Sequence, residues 1–381
     1  VERLRRSGAI RSPAVEQAMR TVPRHRLLER FWVVDRRVEG HGALTPHEID
    51  PSRPGEESLR LAYHDDALVT RVGADGQATS STSQPSLVAE MLELLDLRPG
   101  MRVLEIGAGT GYNAALLAEI LGDQSLVTTI DIDRGVVEQT RRLLAEAGYR
   151  DITVLLRDGA EGAAERGPFD RVVATIGCTD LAPAWLDQLA PGGLALVPLE
   201  HGGAHPLVRV RPDGDGARGR VVGRSGFIRI QGALDRPGPW PRLRPLGGAP
   251  VVRRRLDPAL RARLASTPGA RHPAPAWDLH LFLALRDRRT SWLLTVTEPD
   301  GSAARLDPDT LELEIAGNDD GAAEAVLSAA RWWAAAGCPS LEDVACRFDR
   351  RAAEPLPVPA GAWVVDRLAY REIAWIDPAL S

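Results

Sequence analysis

Lysine is missing altogether: all 47 basic residues of this 381-residue chain are arginine. The accompanying richness in Ala, Gly and Pro marks a compositional bias that carries no functional information. Cysteine is scarce, and Cys178, Cys338 and Cys346 have no metal-ligand spacing. An odd, sparse set of thiols excludes a disulfide framework and fits a reducing, cytoplasmic setting. No run approaches the ~20 apolar residues of a membrane span, and no signal peptide opens the chain. A basic excess is absent too. The net charge is −5 and the pI near 6.0, which argues against a nucleic-acid-binding stripe. Nor is there a convincing catalytic His, Cys or acid pair. Hydrophobic content of 44% is still enough for a sizeable core.

Residues 1–30 read as helical, with breaks near Pro13 and Pro23. Residues 41–60 are polar and rich in Pro and Gly, and read as a loop or insertion. From 84 to about 199 helical and strand patterns alternate. The strand runs are 102–106, 152–156, 171–175 and 194–198, which predict a parallel α/β sheet. Residues 207–230 break the alternation and read as an antiparallel hairpin at the sheet edge. A Pro/Gly-dense linker at 234–250 precedes a smaller α+β domain at 251–381, so residues 1–233 form the first domain. Seven of the nine tryptophans lie from Trp240 onward. The stretch VVRRRLDPALRARL (251–264) reads as a helix with five arginines on a solvated face or on a surface for an acidic peptide.

The strongest signal is VLEIGAGTGYNAALLAEIL, 103–121. A buried strand carrying Glu105 enters Gly107-Ala108-Gly109-Thr110-Gly111 and leaves into a helix. Glycine lets a ligand approach backbone that a Cβ would shield. Dinucleotide enzymes share a Gly-rich strand-to-helix turn, so NAD remains an alternative. Here the spacing is GxGxG after an acid. Asp131 ends the next strand, where a carboxylate can accept ribose hydroxyls. Asp158-Gly159 ends the third, beside a natural adenine site.

This pattern resembles the class I S-adenosylmethionine (AdoMet) methyltransferases, with a Rossmann-like sheet. Together with TSSTSQPSLVAEM (79–91), it resembles the protein-L-isoaspartate O-methyltransferase family, which carries a Ser-Gln-Pro or Ser-Ala-Pro segment before the glycine loop. The likeness continues in AVEQAMRTVPRHRLL, GPFDRVVAT and LDQLAPGGLALVPL, and covers roughly residues 1–230. It implies Ser83 as the active-site serine. It implies a cofactor set of Thr82, Glu105, Gly107, Ala108, Gly109, Gly111, Tyr112, Asp131, Ile132, Asp158, Gly159 and Thr175, with no metal. Read without the resemblance, a helix N-cap is the alternative role for Ser83, and the two roles can coexist. Ile176-Gly177-Cys178 departs from the family's Ala-Ala-Pro-like segment. Cys178 reads as a small buried hydrophobe, and His64 as a surface or structural residue.

The expected activity is AdoMet-dependent methylation of an Asp or isoAsp carboxyl in a peptide or protein. The tail resembles that of members associated with ribosomally made, modified peptides, in which the ester proceeds to aspartimide or isoAsp. On that reading residues 251–381 dock the client. Housekeeping repair of L-isoaspartyl residues is the alternative, and a non-catalytic AdoMet-binding peptide-recognition module or a small-molecule methyltransferase would be a different class. No nucleic-acid or membrane partner is expected.

Overall fold

The computed structural model describes residues 1–35, 43–236, 239–240, 251–265, 277–291, 294–317, 320–354 and 356–379. The chain forms two compact units. One comprises Val1–Cys178, Ala182–Val197 and Phe227–Asp235, and the other Thr179–Leu181, Pro198–Gly226 and Arg236–Ser381. The linker expected at 234–250 falls largely outside the described residues.

The first unit opens with helices α1 (Glu2–Arg6) and α2 (Pro13–Thr21). Ser12 caps α2 by accepting the Val15 N–H, and Pro13 supplies the pre-set first turn. Strands β1 (Arg30–Asp35) and β2 (Ala43–Glu48) pair antiparallel, followed by helix α3 (Glu56–Ala62) and strands β3 (Leu68–Val72) and β4 (Ala78–Thr82). These strands form a sheet in the order β2-β1-β3-β4. The expected loop at 41–60 is therefore corrected to a strand and a helix from residue 43 onward. Pro46 misled the reading, yet β2 is an edge strand, where a missing N–H is tolerated. Leu28, Phe31, Ile49, Ala62 and Leu68 form the small core beneath it.

Helix α4 (Pro85–Leu94) leads into the main sheet of this unit. Its strands are β5 (Val103–Ile106), β6 (Val127–Asp131), β7 (Thr153–Leu156), β8 (Phe169–Ala174) and β9 (Leu189–Pro198). Their order is β9-β8-β5-β6-β7, every pair parallel. Helices α5 (Tyr112–Leu121), α6 (Arg134–Glu146) and α7 (Pro183–Asp187) connect them. All four residues of β5 are buried, as are eight of the ten in α5, so the glycine loop sits on rigid elements. The alternation of apolar runs and amphipathic helices dictates this α/β fold.

In the second unit, β10 (His205–Asp213) and β11 (Gly216–Ser225) form the expected hairpin, and it ends at Ser225. Residues 251–264 do not form one helix. Val251–Arg255 is strand β12, and Pro258 starts helix α8 (Pro258–Ala265). The β-branched pair Val251-Val252 joins a ladder, and a proline at a helix start cannot continue a preceding turn. Helix α9 (Trp277–Arg286) follows, then β13 (Thr290–Ser291), β14 (Thr295–Thr297), β15 (Ala303–Leu306) and β16 (Glu312–Ala316). With β12 they form the sheet β12-β16-β15-β14-β13. Helix α10 (Asp320–Ala335) precedes β17 (Val344–Arg350), β18 (Trp363–Asp366) and β19 (Tyr370–Ile376). β11, β17, β19 and β18 pair antiparallel in that order.

The described tryptophans of this unit are buried or half-buried. Trp333 and Trp240 are buried, and Trp332 packs edge-on to Trp363 at 5.6 Å. Trp292 lies outside the described residues. A buried polar cluster sits beside Trp240. Arg367 and His201 bracket Glu372, and together they outweigh its burial and hold its carboxyl at about 2. No helix among the described residues is long and apolar enough to cross a membrane.

Candidate active site

An open cleft of about 970 Å³ lies entirely within the first unit, at the carboxyl ends of β5 and β6. Three walls enclose it: the glycine loop, the Thr79–Ser83 segment and the return segment Phe227–Gln231.

The loop conformation demands its glycines. Gly107, Gly109 and Gly111 have φ of +100°, +54° and +84°, a region costly for any residue with a Cβ. A Cβ on Gly107 would come within 2.8 Å of Ile176, and one on Gly111 within 2.8 Å of Leu144. The Asp131 carboxylate accepts the Ala108 N–H at 3.1 Å and the Asp133 N–H at 3.1 Å, which ties the loop to the end of β6. Thr175 donates to the Gly107 carbonyl at 2.8 Å and anchors the loop from β8.

Two carboxylates line the cleft, Glu105 and Asp131. Glu105 is 1% exposed and accepts hydrogen bonds from Asn113 at 2.8 Å and Thr129 at 2.7 Å. Burial pushes its pKa up to about 7, against the lowering effect of those bonds. Burial also raises that of Asp131. Neither forms an ion pair among the described residues. The lining arginine, Arg229, is turned onto Asp235 at 2.9 Å.

Ser83 lies on the cleft wall, and no described protein group hydrogen-bonds its hydroxyl. Its alternative role as helix cap is overturned. Gln84 occupies the N-cap position of α4 without a side-chain bond, and Asp65 accepts the Ser86 N–H from across the chain at 2.8 Å. The Ser/Thr run at 79–82 is a strand, β4, with Thr70 donating to Ser80 at 3.1 Å.

Of the anticipated set, Thr82, Ser83, Glu105, Gly107, Ala108, Gly109, Tyr112, Asp131, Ile132, Gly159 and Thr175 line the cleft. Gly111 and Asp158 do not. Gly111 sets the start of α5. Asp158 holds the walls, because its carboxylate accepts the Ala160 N–H at 2.9 Å and the Ala233 N–H at 2.7 Å. Cys178 is fully buried, as its reading as a small hydrophobe expects. His64 is exposed and bonded to Asp66 at 2.7 Å.

The sequence reading missed two features. One is the return segment, which leaves the hairpin after Ser225 and exchanges backbone bonds with Gly177: Gly177 N–H to Ile228 at 2.8 Å and Ile230 N–H to Gly177 at 2.9 Å. The other is Arg24, whose buried guanidinium binds the carbonyls of Ala62, Asp66, Thr82 and Ser83 at 2.7, 3.1, 3.2 and 2.9 Å.

The family model for protein-L-isoaspartate(D-aspartate) O-methyltransferase matches residues 49–231. A protein-L-isoaspartate O-methyltransferase of Hyperthermus butylicus is 36% identical over 52% of this chain and 73% of its own length. One from Methanopyrus kandleri is 35% identical over 61% of this chain and 89% of its own. The chain belongs to this family. It is accordingly an enzyme, a carboxyl O-methyltransferase, and not a non-catalytic peptide-recognition module. A solved protein-L-isoaspartate O-methyltransferase shares the fold at 24% identity and a TM-score of 0.52, over 90% of this chain and 93% of that one.

Proposed function

We propose that the enzyme transfers the methyl group of AdoMet to the free carboxylate of an L-isoaspartyl residue in a polypeptide, giving a methyl ester. The observation that carries this reading is the unpartnered Ser83 hydroxyl on the wall of a cleft whose acidic side chains are Glu105 and Asp131. Two carboxylates, with the lining Arg229 already paired with Asp235, suit a ligand carrying positive charge and disfavour the pyrophosphate of NAD. The set therefore fits AdoMet. Asp131 would accept the ribose hydroxyls, Glu105 would face the methionine end, and the backbone at Gly107–Gly109 would lie against the ligand.

When bound, AdoMet would supply an electrophilic sulfonium methyl to the acceptor oxygen, the carbon–sulfur electron pair leaving with the neutral thioether. The protein needs no general base, because an aspartyl-type carboxyl titrates near ~3.9 and is already ionised at neutral pH. What remains is orientation. The Ser83 hydroxyl donates to one carboxylate oxygen and turns the other toward the methyl. The walls at 79–83 and 227–231 exclude water from the encounter.

The names of the relatives support isoaspartyl residues as acceptor over the encoded Asp of a ribosomal precursor peptide, so the leading expectation shifts to the repair-type substrate. A docking role for the region beyond residue 250 keeps one supporting feature. Strand β12 is an edge strand, exposed throughout, with Val251 and Val252 beside three arginines. Incubation with labelled AdoMet and an isoaspartyl peptide tests the main reading: base-labile label in the peptide supports it, and none refutes it. If β12 docks clients, V252E raises KM for a long client while leaving that for a short isoaspartyl peptide unchanged.

A further inference from the structure

The geometry points to Arg24 as a positioning residue that holds Ser83 in place for the acceptor carboxylate by clamping two segments of backbone together. The inference rests on the carboxyl-methylation reading above. Arg24 is 1% exposed and follows Pro23 at the end of the N-terminal helical region. Nη1 donates to the Ala62 carbonyl at 2.7 Å, with that of His64 at 3.4 Å. Nη2 faces the carbonyls of Asp66, Thr82 and Ser83. One side chain thus ties the turn after α3 to the junction between β4 and α4, where Ser83 stands.

Asp65 makes the same connection in reverse, accepting the Ser86 N–H from within that turn. The two clamps bracket Ser83 from both sides. The guanidinium carbon also lies 5.9 Å from the centre of the Tyr112 ring, and Tyr112 lines the cleft. Every hydrogen-bond partner of this buried cation is a carbonyl oxygen, and it forms no ion pair among the described residues. A structural arginine is ordinarily compensated by a carboxylate when buried. Here carbonyl dipoles bind Nη1 and Nη2, the Asp65 and Asp66 carboxylates act only through space, and Nε is left without a partner, so the arrangement fixes backbone rather than side chains. Lysine keeps the charge but not the planar fork that reaches both segments.

The test is Arg24→Lys, measured alone and in combination with Ser83→Ala, on a synthetic isoaspartyl peptide with AdoMet. The expected result is a fall in kcat of about tenfold or more, as misorientation of a reacting group produces. Cofactor affinity by calorimetry should stay within about twofold, since Arg24 does not line the cleft. Added to Ser83→Ala, the lysine change should cost less than about twofold, because two residues acting through one hydroxyl are not additive. Wild-type kcat in Arg24→Lys, or an undiminished penalty in the Ser83→Ala background, overturns the inference.

Should Arg24→Lys fail to fold, NMR of the wild-type protein with nitrogen-labelled arginine decides. Guanidinium protons of Arg24 protected from exchange, and shifted by saturating isoaspartyl peptide in wild type but not in Ser83→Ala, uphold the role. Signals indifferent to peptide refute it. Absence of methyl transfer by the wild-type enzyme would instead remove the functional reading itself.

Discussion

The carboxylate of Asp65 accepts the Ser86 backbone N–H at 2.8 Å, so helix α4 is capped from the preceding turn and the neighbouring Ser83 hydroxyl has no bond to any described protein group. Two substitutions therefore differ: removing Asp65 loosens both the helix start and the support of Ser83, whereas removing the Ser83 hydroxyl spares the helix. Asp65→Ala should lower stability by about 1 kcal/mol, the usual cost of a lost cap. Ser83→Ala should leave the melting temperature close to wild type while turnover falls substantially and AdoMet affinity holds. Thermal melts and methyl-transfer rates on both proteins check this. A Ser83→Ala protein with full activity and a lowered melt would return the serine to a structural role.

Asp131 joins the glycine loop to the cleft through the Ala108 N–H. Asp131→Ala should weaken AdoMet by about 1.5–3 kcal/mol, the typical worth of a charge-assisted hydrogen bond. Calorimetry with AdoMet and NAD measures it. Wild type should bind the first and not the second, and selective binding of NAD would end the methyltransferase reading.

Glu105 gives the unliganded enzyme a defined pH response. Its pKa rises from 4.5 in the unfolded reference to about 7 on burial, so the folded state holds its proton more tightly than the unfolded one. Stability from this group is then fully present below pH 4.5, declines as pH rises toward 7, and levels off above. Glu105→Gln should abolish that decline. Denaturant unfolding of both proteins across this range tests the sign, and a wild-type stability that climbs relative to Glu105→Gln would contradict it.

How the chain was legible differs by element. The glycine loop could be read because Gly107, Gly109 and Gly111 answer a backbone demand that no other residue meets cheaply. Arg24 could not. Its partners are carbonyls of residues 62, 66, 82 and 83, and a carbonyl leaves no mark on sequence. The return segment 227–231 hid for a similar reason: its alternating pattern continues the hairpin strand, whereas its backbone pairs with Gly177. β4 was obscured because Ser and Thr serve turns, caps and strands alike.

The tryptophans of the second unit invite a separate test. Trp333 is fully buried and its indole donates to the Pro339 carbonyl at 2.9 Å. Trp333→Ala should cost about 3–5 kcal/mol, as removing a large core side chain does. A substrate-docking tryptophan would instead raise KM with an unchanged melt.

The central claim is recognition of an isoaspartyl carboxylate beside Ser83, and a matched pair of peptides tests it most directly. The two share one sequence and differ in having L-isoaspartate or L-aspartate at a single position. With AdoMet and full-length enzyme, mass spectrometry should show one methyl added to the isoaspartyl peptide, and little to its partner. Equal methylation of both, or of the aspartyl peptide alone, would contradict the account.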